Sequence, residues 1–164
     1  IEATNLSEGR GTTRPFEVVG APGIDARALC DAIDSFEVDG LACRPVLFEP
    51  TFQKWGKQVC SGAVLSCVDR DALPSVRAGL AVIAAAMRVA PDVFQWRAEA
   101  YEFVDTIAAM DLLMGSDNAR LVLERGGSLD EACSDFHEAT RRFVQRARPH
   151  LLYLRRSGEL CVPS

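Results

Sequence analysis

The sequence lacks an apolar run long enough to cross a bilayer, and it lacks net positive charge. Its longest apolar run covers residues 79–87, whereas a spanning helix needs roughly 18 residues. The formal charge is −5 and the isoelectric point is about 5.1, and the arginines late in the chain lie among acidic residues, as on a solvated helix face. We therefore expect neither a membrane span nor a nucleic-acid partner.

Motifs of the common cofactor and metal sites are also missing. The chain has no GxSxG, Walker, GxGxxG or HExxH pattern and no CxxC pair,. Only two histidines could join its six cysteines as ligands, so we predict no metal and no cofactor. The even number of cysteines leaves one or two disulfides open, although most thiols are expected to be small buried hydrophobes. A cysteine–histidine nucleophile also stays open, but no cysteine has neighbours that would activate it.

What is present is the composition of one globular domain. The chain has 164 residues, 48% hydrophobic and 25% charged, which is enough for a core of its own. Strands are predicted over residues 16–19, 41–48 and 59–68, and the last is apolar enough to be buried on both faces. The last two should pair as antiparallel neighbours, with an edge or a bulge at Pro45.

Helical patterns follow the strands. A first helix, capped by Asp25, runs to residue 36, and a second begins near Pro74 and ends before Pro91. The buried face of the second helix is predicted to carry Leu80, Ile83, Ala84 and Met87.

The C-terminal half is predicted to be mainly helical. A helix over 104–114 ends at Gly115, another runs from Ser116 or Asp117 to Gly126, and a capping box at Ser128 begins a long helix that stops at Pro149. A last strand is expected over 150–154 and a frayed tail over 155–164. We thus expect an α+β fold, with a small mostly antiparallel sheet packed against several helices, in a single domain over 1–164.

The segment TNLSEGRGTTRP, residues 4–15, is the strongest candidate for chemistry. It is almost entirely polar, so it should form a loop shaped by Gly9 and Gly11, with Glu8 pairing with Arg10 or Arg14 if it is only a surface turn. A glycosidase needs a second carboxyl group near the first. The sequence offers four candidates without selecting one: Asp69, Asp71, Asp105 and Asp111.

A second loop, residues 49–57, carries two aromatic side chains beside two lysines. Phe52 and Trp55 could bind the face of a sugar ring, but aromatic residues in such loops more often cover the edge of a core, and we favour that interpretation.

Several motifs, in order along nearly the whole chain, resemble the C-terminal half of the bacterial exo-β-N-acetylmuramidases. They are TNLSEGRGTTRPFEVVGAP, CRPVLFEPTFQKWGKQVCSGAV, the pair Asp69-Arg70, PDVFQW, DLLMGS and RPHLLY. The chain departs from the family pattern at Gly23, where an aromatic residue is usual, and at Ser66, where a histidine is usual.

The resemblance implies that the chain is the C-terminal domain of a longer two-domain protein. Its partner would be a Rossmann-like N-terminal domain that carries the proposed catalytic glutamate, and the two would form a cleft between them. Such enzymes remove N-acetylmuramic acid from the non-reducing ends of peptidoglycan fragments, so the ligand is a muramic-acid-containing saccharide. The resemblance favours a periplasmic or secreted location and leaves a cytoplasmic one open.

The resemblance also implies site residues. Arg10 or Arg44 would bind the lactyl carboxylate of a muramic acid, because a guanidinium binds carboxylates in bidentate fashion. Asn5 and Thr12 would bind sugar hydroxyls or the acetamido group, and Glu8 would be a second catalytic carboxylate or would orient Arg10. The full set is Asn5, Ser7, Glu8, Arg10, Thr12, Arg44 and Lys54.

The alternative is a non-catalytic module that binds sugar or docks on the other domain, since these residues hold no complete carboxylate pair. A third interpretation is a purely structural loop held by internal salt bridges. On its own, the chain is expected to be inactive.

Overall fold

A computed structural model describes residues 1–151, except for the side chain of His137. Three strands, β1 (Val18–Ala21), β2 (Leu41–Phe48) and β3 (Cys60–Cys67), form one antiparallel sheet in the order β1-β3-β2. Six α-helices and a short 3-10 helix follow or interrupt them. They are α1 (Ala26–Asp34), α2 (Ser75–Val89), α3 (Ala109–Met114), α4 (Asn118–Glu124), α5 (Leu129–Ala132), α6 (Phe136–Ala147) and the 3-10 helix Arg148–His150. The predicted α+β architecture is confirmed.

The sheet depends on glycine at its centre. Gly20 of β1 lies opposite Gly62 of β3. A Cβ atom on Gly62 would come within 1.9 Å of the carbonyl oxygen of Val19, and one on Gly20 within 2.4 Å of that of Ser61. Side chains at these positions would therefore force the two strands apart.

Strand β2 occupies an edge of the sheet, as its proline predicts. Pro45 lies opposite Ala63 in an unbroken register, so the edge interpretation is correct and no bulge is present. Burial of β3 on both faces is confirmed only for its first half, because the strand becomes exposed towards Cys67.

Helices α1 and α2 enclose the core. Asp25 caps α1 as predicted, with its side chain accepting from the backbone N–H groups of Arg27 and Ala28,. Helix α2 is buried on more than the one predicted face, because it lies between two hydrophobic clusters. Its Leu80 and Ile83 belong to one cluster and its Val82 to the other. The predicted Ala84 and Met87 are only partly buried.

The C-terminal half is helical, but two predicted helices are wrong in extent. Helix α3 begins at Ala109 rather than near residue 104, because Tyr101 and Val104 exchange both backbone hydrogen bonds in a tight turn. The helix predicted from Ser128 to Pro149 is two helices, α5 and α6. The Ser134 hydroxyl donates to the carbonyl oxygen of Glu131, a local bond that competes with helix continuation.

The predicted ends of these helices are confirmed. Gly115 and Gly126 both have the left-handed conformation, with φ of 76° and 73°,. The Ser128 side chain accepts from the backbone N–H of Glu131. His150 lies in the 3-10 helix rather than in a strand. The rest of the predicted last strand, and the tail over 155–164, lie almost entirely outside the described residues.

No helix in the described part of the chain combines the length and apolar character that a membrane crossing requires.

Candidate active site

Residues 4–15, here called the opening loop, are more deeply buried than their polar composition predicts. The loop runs beside β1, where Ser7 and Gly20 exchange backbone hydrogen bonds of 2.8 and 3.1 Å. On its other side, the backbone N–H of Asn5 donates to Gln95. With its backbone groups satisfied in this way, the loop buries Thr4, Leu6, Ser7 and Glu8,. The prediction of a loop is correct. The alternative of a surface turn does not describe its buried first part, although the pairing of Glu8 with Arg10 that this alternative named is present.

The two glycines bend the loop where other residues would not fit. Gly9 has φ of 77°, and a Cβ atom there would lie 2.5 Å from Val18 Cγ2. Gly11 has φ of 81°, and a Cβ atom there would lie 2.8 Å from the backbone nitrogens of Thr51 and Phe52. The glycines therefore let the loop contact both β1 and residues 49–57.

Four side chains form a group of alternating charges, here called the ion cluster: Glu2, Glu8, Arg10 and Lys54. Glu8, only 6% exposed, places Oε1 3.1 Å from Arg10 Nε and Oε2 2.9 Å from Lys54 Nζ. Arg10 Nη2 donates to Glu2 Oε1 at 2.6 Å. The N–H direction of Arg10 Nε is poor for a hydrogen bond to Glu8, so this contact is an ion pair set by its distance. The cluster has equal numbers of positive and negative charges.

Tyr101 closes the cluster. Its hydroxyl donates to Glu2 Oε2 at 2.9 Å, and this bond, with help from Arg10, lowers the pKa of Glu2. The same bond raises the pKa of Tyr101. Both carboxylates are thus occupied at both oxygens: Glu8 by two cations, and Glu2 by Arg10 and Tyr101.

The Lys54 ammonium is bound by acceptors of the protein itself. Its ammonium lies 3.4 Å from the carbonyl oxygen of Ile1, 3.2 Å from that of Leu6 and 2.9 Å from Glu8 Oε2. An ammonium has three donors, and three internal acceptors surround this one. Lys54 therefore fastens the opening loop and holds Glu8.

A cavity of about 290 Å³ lies against the ion cluster. Its walls are Ile1, Glu2, Glu8, Phe16, Val18, Val19 and Leu65. Arg10 contacts three of these wall residues, because its guanidinium also lies 5.2 Å from the centre of the Phe16 ring. The site combines a partly exposed cation with apolar walls.

Strained backbone is concentrated in the segments around this site. Seven non-glycine residues of the described chain have positive φ, and only Glu37 lies in a segment without a contact to the opening loop, the ion cluster or the cavity. The other six are Phe16, Gln53, Trp55, Lys57, Glu102 and Phe103. Strain of this kind tends to collect at functional sites.

The other predicted site residues in the opening loop serve to shape it. The Asn5 side chain donates to Val93 and accepts from the backbone of Gln95. Ser7 accepts from the backbone N–H of Gly9. Thr12 donates to the carbonyl oxygen of Gly9 and accepts from the Arg14 backbone.

Arg44 lies apart from the ion cluster. It is exposed on β2, opposite Val64, which in turn lies opposite Val18 of β1. Two strand spacings, about 10 Å, therefore separate its backbone from Val18, whereas a single spacing separates β2 from the wall residue Leu65,. Among the described residues its side chain has no hydrogen-bond or ion-pair partner.

None of the four carboxylates offered by the sequence lines the cavity beside Glu8. Asp111 binds Arg120 at 2.7 and 2.8 Å, and Asp69 accepts from the backbone of Asp71 and Ala72. The carboxylate that joins the cluster is Glu2, and the sequence pattern missed it together with Tyr101 and Phe16. Glu2 and Tyr101 are 99 positions apart, so no local signal could have linked them.

Trp55 and Phe52 differ in role. Trp55 packs against one hydrophobic cluster and donates from Nε1 to the carbonyl oxygen of Asn5 at 2.7 Å, so the core-edge prediction is correct for it. Phe52 is 59% exposed, and the prediction is wrong there.

Four of the five described cysteines do not resemble nucleophiles. All five are free. Burial raises the pKa of Cys60 to about 11 and also raises those of Cys30, Cys43 and Cys133, whereas a reactive thiol has a lowered pKa. In the described part of the chain, no group of three or more potential ligands could hold a metal ion.

Comparison with known proteins gives consistent results. Residues 1–153 match the family model described as exo-beta-N-acetylmuramidase NamZ, C-terminal. The peptidoglycan beta-N-acetylmuramidase NamZ of Bacillus subtilis (strain 168) is 35% identical over 153 residues, which are 93% of this chain and 35% of that protein.

Two crystal structures of DUF1343 family proteins from Bacteroides fragilis NCTC 9343 share the fold, each at 21% identity. One has a TM-score of 0.72 over 91% of this chain and 38% of its own, and the other a TM-score of 0.55 over 93% and 37%. The chain therefore spans little more than a third of the length of the relatives it matches.

Proposed function

The chain belongs to the family of C-terminal domains of the exo-β-N-acetylmuramidase NamZ, and from this premise we propose that it acts as that domain in an exo-acting β-N-acetylmuramidase. The proposed reaction releases N-acetylmuramic acid from the non-reducing ends of peptidoglycan fragments. The observation that carries the proposal is the match of residues 1–153 to this family. The chain contributes one wall of the cleft, and a Rossmann-like N-terminal domain contributes the other.

The geometry of the ion cluster favours a binding role for this wall. Glycoside hydrolysis ordinarily uses two carboxyl groups free to reach the glycosidic bond or a water molecule. Glu8 and Glu2 are instead engaged at both oxygens by internal partners. We therefore assign Glu8 as a positioning residue that orients Arg10, and we assign the proton transfers to the other domain.

Arg10 is the better candidate to bind the lactyl carboxylate. Its side chain is 41% exposed although Nε and Nη2 are engaged inside, and within residues 1–151 no acceptor is bound to Nη1. A charge-assisted hydrogen bond from this group is short and strong when the site is partly dry. Arg44 has the same chemistry but lies on the edge strand β2, and within residues 1–151 its side chain makes no hydrogen bond or ion pair with the ion cluster.

The test is hydrolysis of a chromogenic β-N-acetylmuramide by the protein expressed from its complete reading frame. We expect activity from the wild type, and absence of release would contradict the proposed function. Arg10→Ala should lower kcat/KM about 10- to 100-fold, as for the loss of a hydrogen bond to a charged group. Arg44→Ala is the matched control, and its kcat/KM should stay within about threefold of wild type. A larger loss in this variant would indicate that Arg44 binds the lactyl carboxylate.

Glu8→Gln separates positioning from catalysis. A positioning role predicts a raised KM with much of kcat retained, because the glutamine still fills the site but holds Arg10 less firmly. A collapse of kcat with unchanged KM would instead make Glu8 catalytic, and full activity would remove it from the mechanism.

The engaged carboxylates also favour a second candidate, a module that binds sugar without catalysing any step. Calorimetry of the 164-residue chain alone with a muramic-acid-containing disaccharide tests it. Binding without turnover supports a self-sufficient sugar site, and no measurable heat argues against one.

A further inference from the structure

Phe16 is exposed at a position where its backbone is strained. Its φ is 65°, a strained conformation that bulky residues rarely adopt. Its side chain is nevertheless 62% exposed, so core packing does not compensate for the strain. The backbone N–H donates to the carbonyl oxygen of Glu8 at 2.7 Å, which fixes Phe16 to the buried end of the opening loop.

This conformation places the ring in the wall of the cavity, beside Arg10. Glu2, Glu8 and Phe16 all line the cavity, and the Arg10 guanidinium contacts all three. The two carboxylates are neutralised by Arg10 and Lys54, so they do not repel an anion at the exposed side of the guanidinium. A cation and an aromatic ring thus lie in contact with each other beside the cavity.

Such a surface fits a ligand whose carboxylate lies next to C–H groups. The guanidinium binds the carboxylate through hydrogen bonds. The ring covers adjacent C–H groups and removes this apolar surface from water. A sugar that lacks the carboxylate-bearing side chain makes fewer contacts with both the guanidinium and the ring, so it should bind more weakly.

We propose that Phe16 is a specificity-determining residue, which together with Arg10 recognises the carboxylate-bearing ether of an amino sugar and rejects the same sugar without it. This inference rests on the proposed function and assigns a second recognition element to the same site. Phe16 selects by covering the apolar part of the ether, while Arg10 binds its charge.

The experiment compares Phe16→Leu with wild type in the protein from the complete reading frame. Calorimetric titration with N-acetylmuramic acid and with N-acetylglucosamine measures binding, and hydrolysis of the chromogenic muramide measures KM and kcat. We expect Phe16→Leu to weaken N-acetylmuramic acid about three- to tenfold, to change N-acetylglucosamine less, and to raise KM with kcat retained. Phe16→Tyr keeps the ring and should behave as wild type.

Phe103→Leu is the matched control. Phe103 is also exposed and also has a left-handed backbone, with φ of 67°, but it does not line the cavity. Its replacement should change neither binding nor KM. Far-UV circular dichroism of each variant checks folding, and if Phe16→Leu does not fold, Phe16→Gly, which relieves the strained φ, takes its place.

Two results overturn the inference: unchanged affinity for N-acetylmuramic acid after loss of the ring, or equal weakening of both sugars. If the wild type does not hydrolyse the muramide, the proposed function falls, and the titrations still decide the inference. Preferential binding that is lost with the ring would support it, and no binding to the wild type would contradict it.

Discussion

At the scale of residues, the ion cluster explains why a glutamate can be buried, and a lysine partly buried, beside an opening in the surface. Glu8 is almost completely buried, yet each of its oxygens faces a cation. Removing one partner of a buried pair leaves a charge without compensation, and this costs more than an exposed pair contributes. Substitution of a buried member of the cluster should therefore lower the free energy of unfolding more than substitution of an exposed member.

Lys54→Met tests the buried side. We expect a loss of about 2 kcal/mol in the free energy of unfolding, less than the roughly 3–5 kcal/mol typical of breaking a buried pair, because Arg10 still faces Glu8. Urea unfolding of the chain measures it. Lys57→Met, an exposed lysine of the same loop, is the control and should change stability by less than about 0.5 kcal/mol. Equal effects would show that Lys54 is not the fastening residue.

Glu2→Gln tests the exposed side through pH. The hydrogen bond from Tyr101 lowers the pKa of Glu2 in the folded protein, so this group contributes stability above its unfolded pKa, about 4.3, and loses it as pH falls through the folded value. The variant should be less stable than wild type at pH 7, and the gap should close below about pH 4. Urea midpoints of both proteins across this pH range measure the difference in stability. A difference that does not change with pH would contradict the link between the pKa of Glu2 and stability.

At the scale of elements, glycine has opposite roles in the sheet and in α2. Gly62 sits where β1 and β3 approach too closely for any side chain, whereas Gly79, inside α2, has no heavy atom within 4 Å of the position its Cβ would take. One residue type is thus required in one element and unfavourable in the other.

The same substitution should therefore change stability in opposite directions. Gly62→Ala should destabilise the chain by about 3 kcal/mol or more, because backbone must move. Gly79→Ala should stabilise it by about 0.5–1 kcal/mol, because alanine loses less conformational freedom in a helix. Thermal and urea unfolding of the two variants side by side measure both, and two changes of the same sign would contradict the packing described.

The elements also show which structural features local sequence patterns can predict. Strand β2, the cap at Asp25 and the helix ends at Gly115 and Gly126 could be predicted because local chemistry determines them. The break between α5 and α6, where a serine hydroxyl bonds to the backbone, was not predicted by the periodic pattern. The burial of Glu8 could not be predicted, since it depends on Lys54, 46 positions away.

At the scale of the whole molecule, α2 joins two hydrophobic clusters into one structure. Leu80 and Ile83 face one cluster, and Val82, Ala85 and Ala86 face the other. Neither cluster can lose its packing without exposing this helix, so the two should unfold together.

The two tryptophans report on this coupling, since Trp96 packs against the first cluster and Trp55 against the second. We expect Trp96→Phe and Trp55→Phe variants each to show a fluorescence midpoint in urea that coincides with the midpoint by far-UV circular dichroism. Separate midpoints in either variant would mean that the clusters unfold independently.

The bond between Glu2 and Tyr101 has a consequence for synthesis on the ribosome. The two residues are 99 positions apart, and a ribosome adds roughly 5–20 residues per second, so about 5–20 seconds separate the appearance of the two ends of this contact. During that interval Glu2 and Arg10 emerge without Tyr101, and the carbonyl oxygen of Val93 that binds Asn5 is also still to be made. The ion cluster can thus be completed only after residue 101 of this chain has been synthesised.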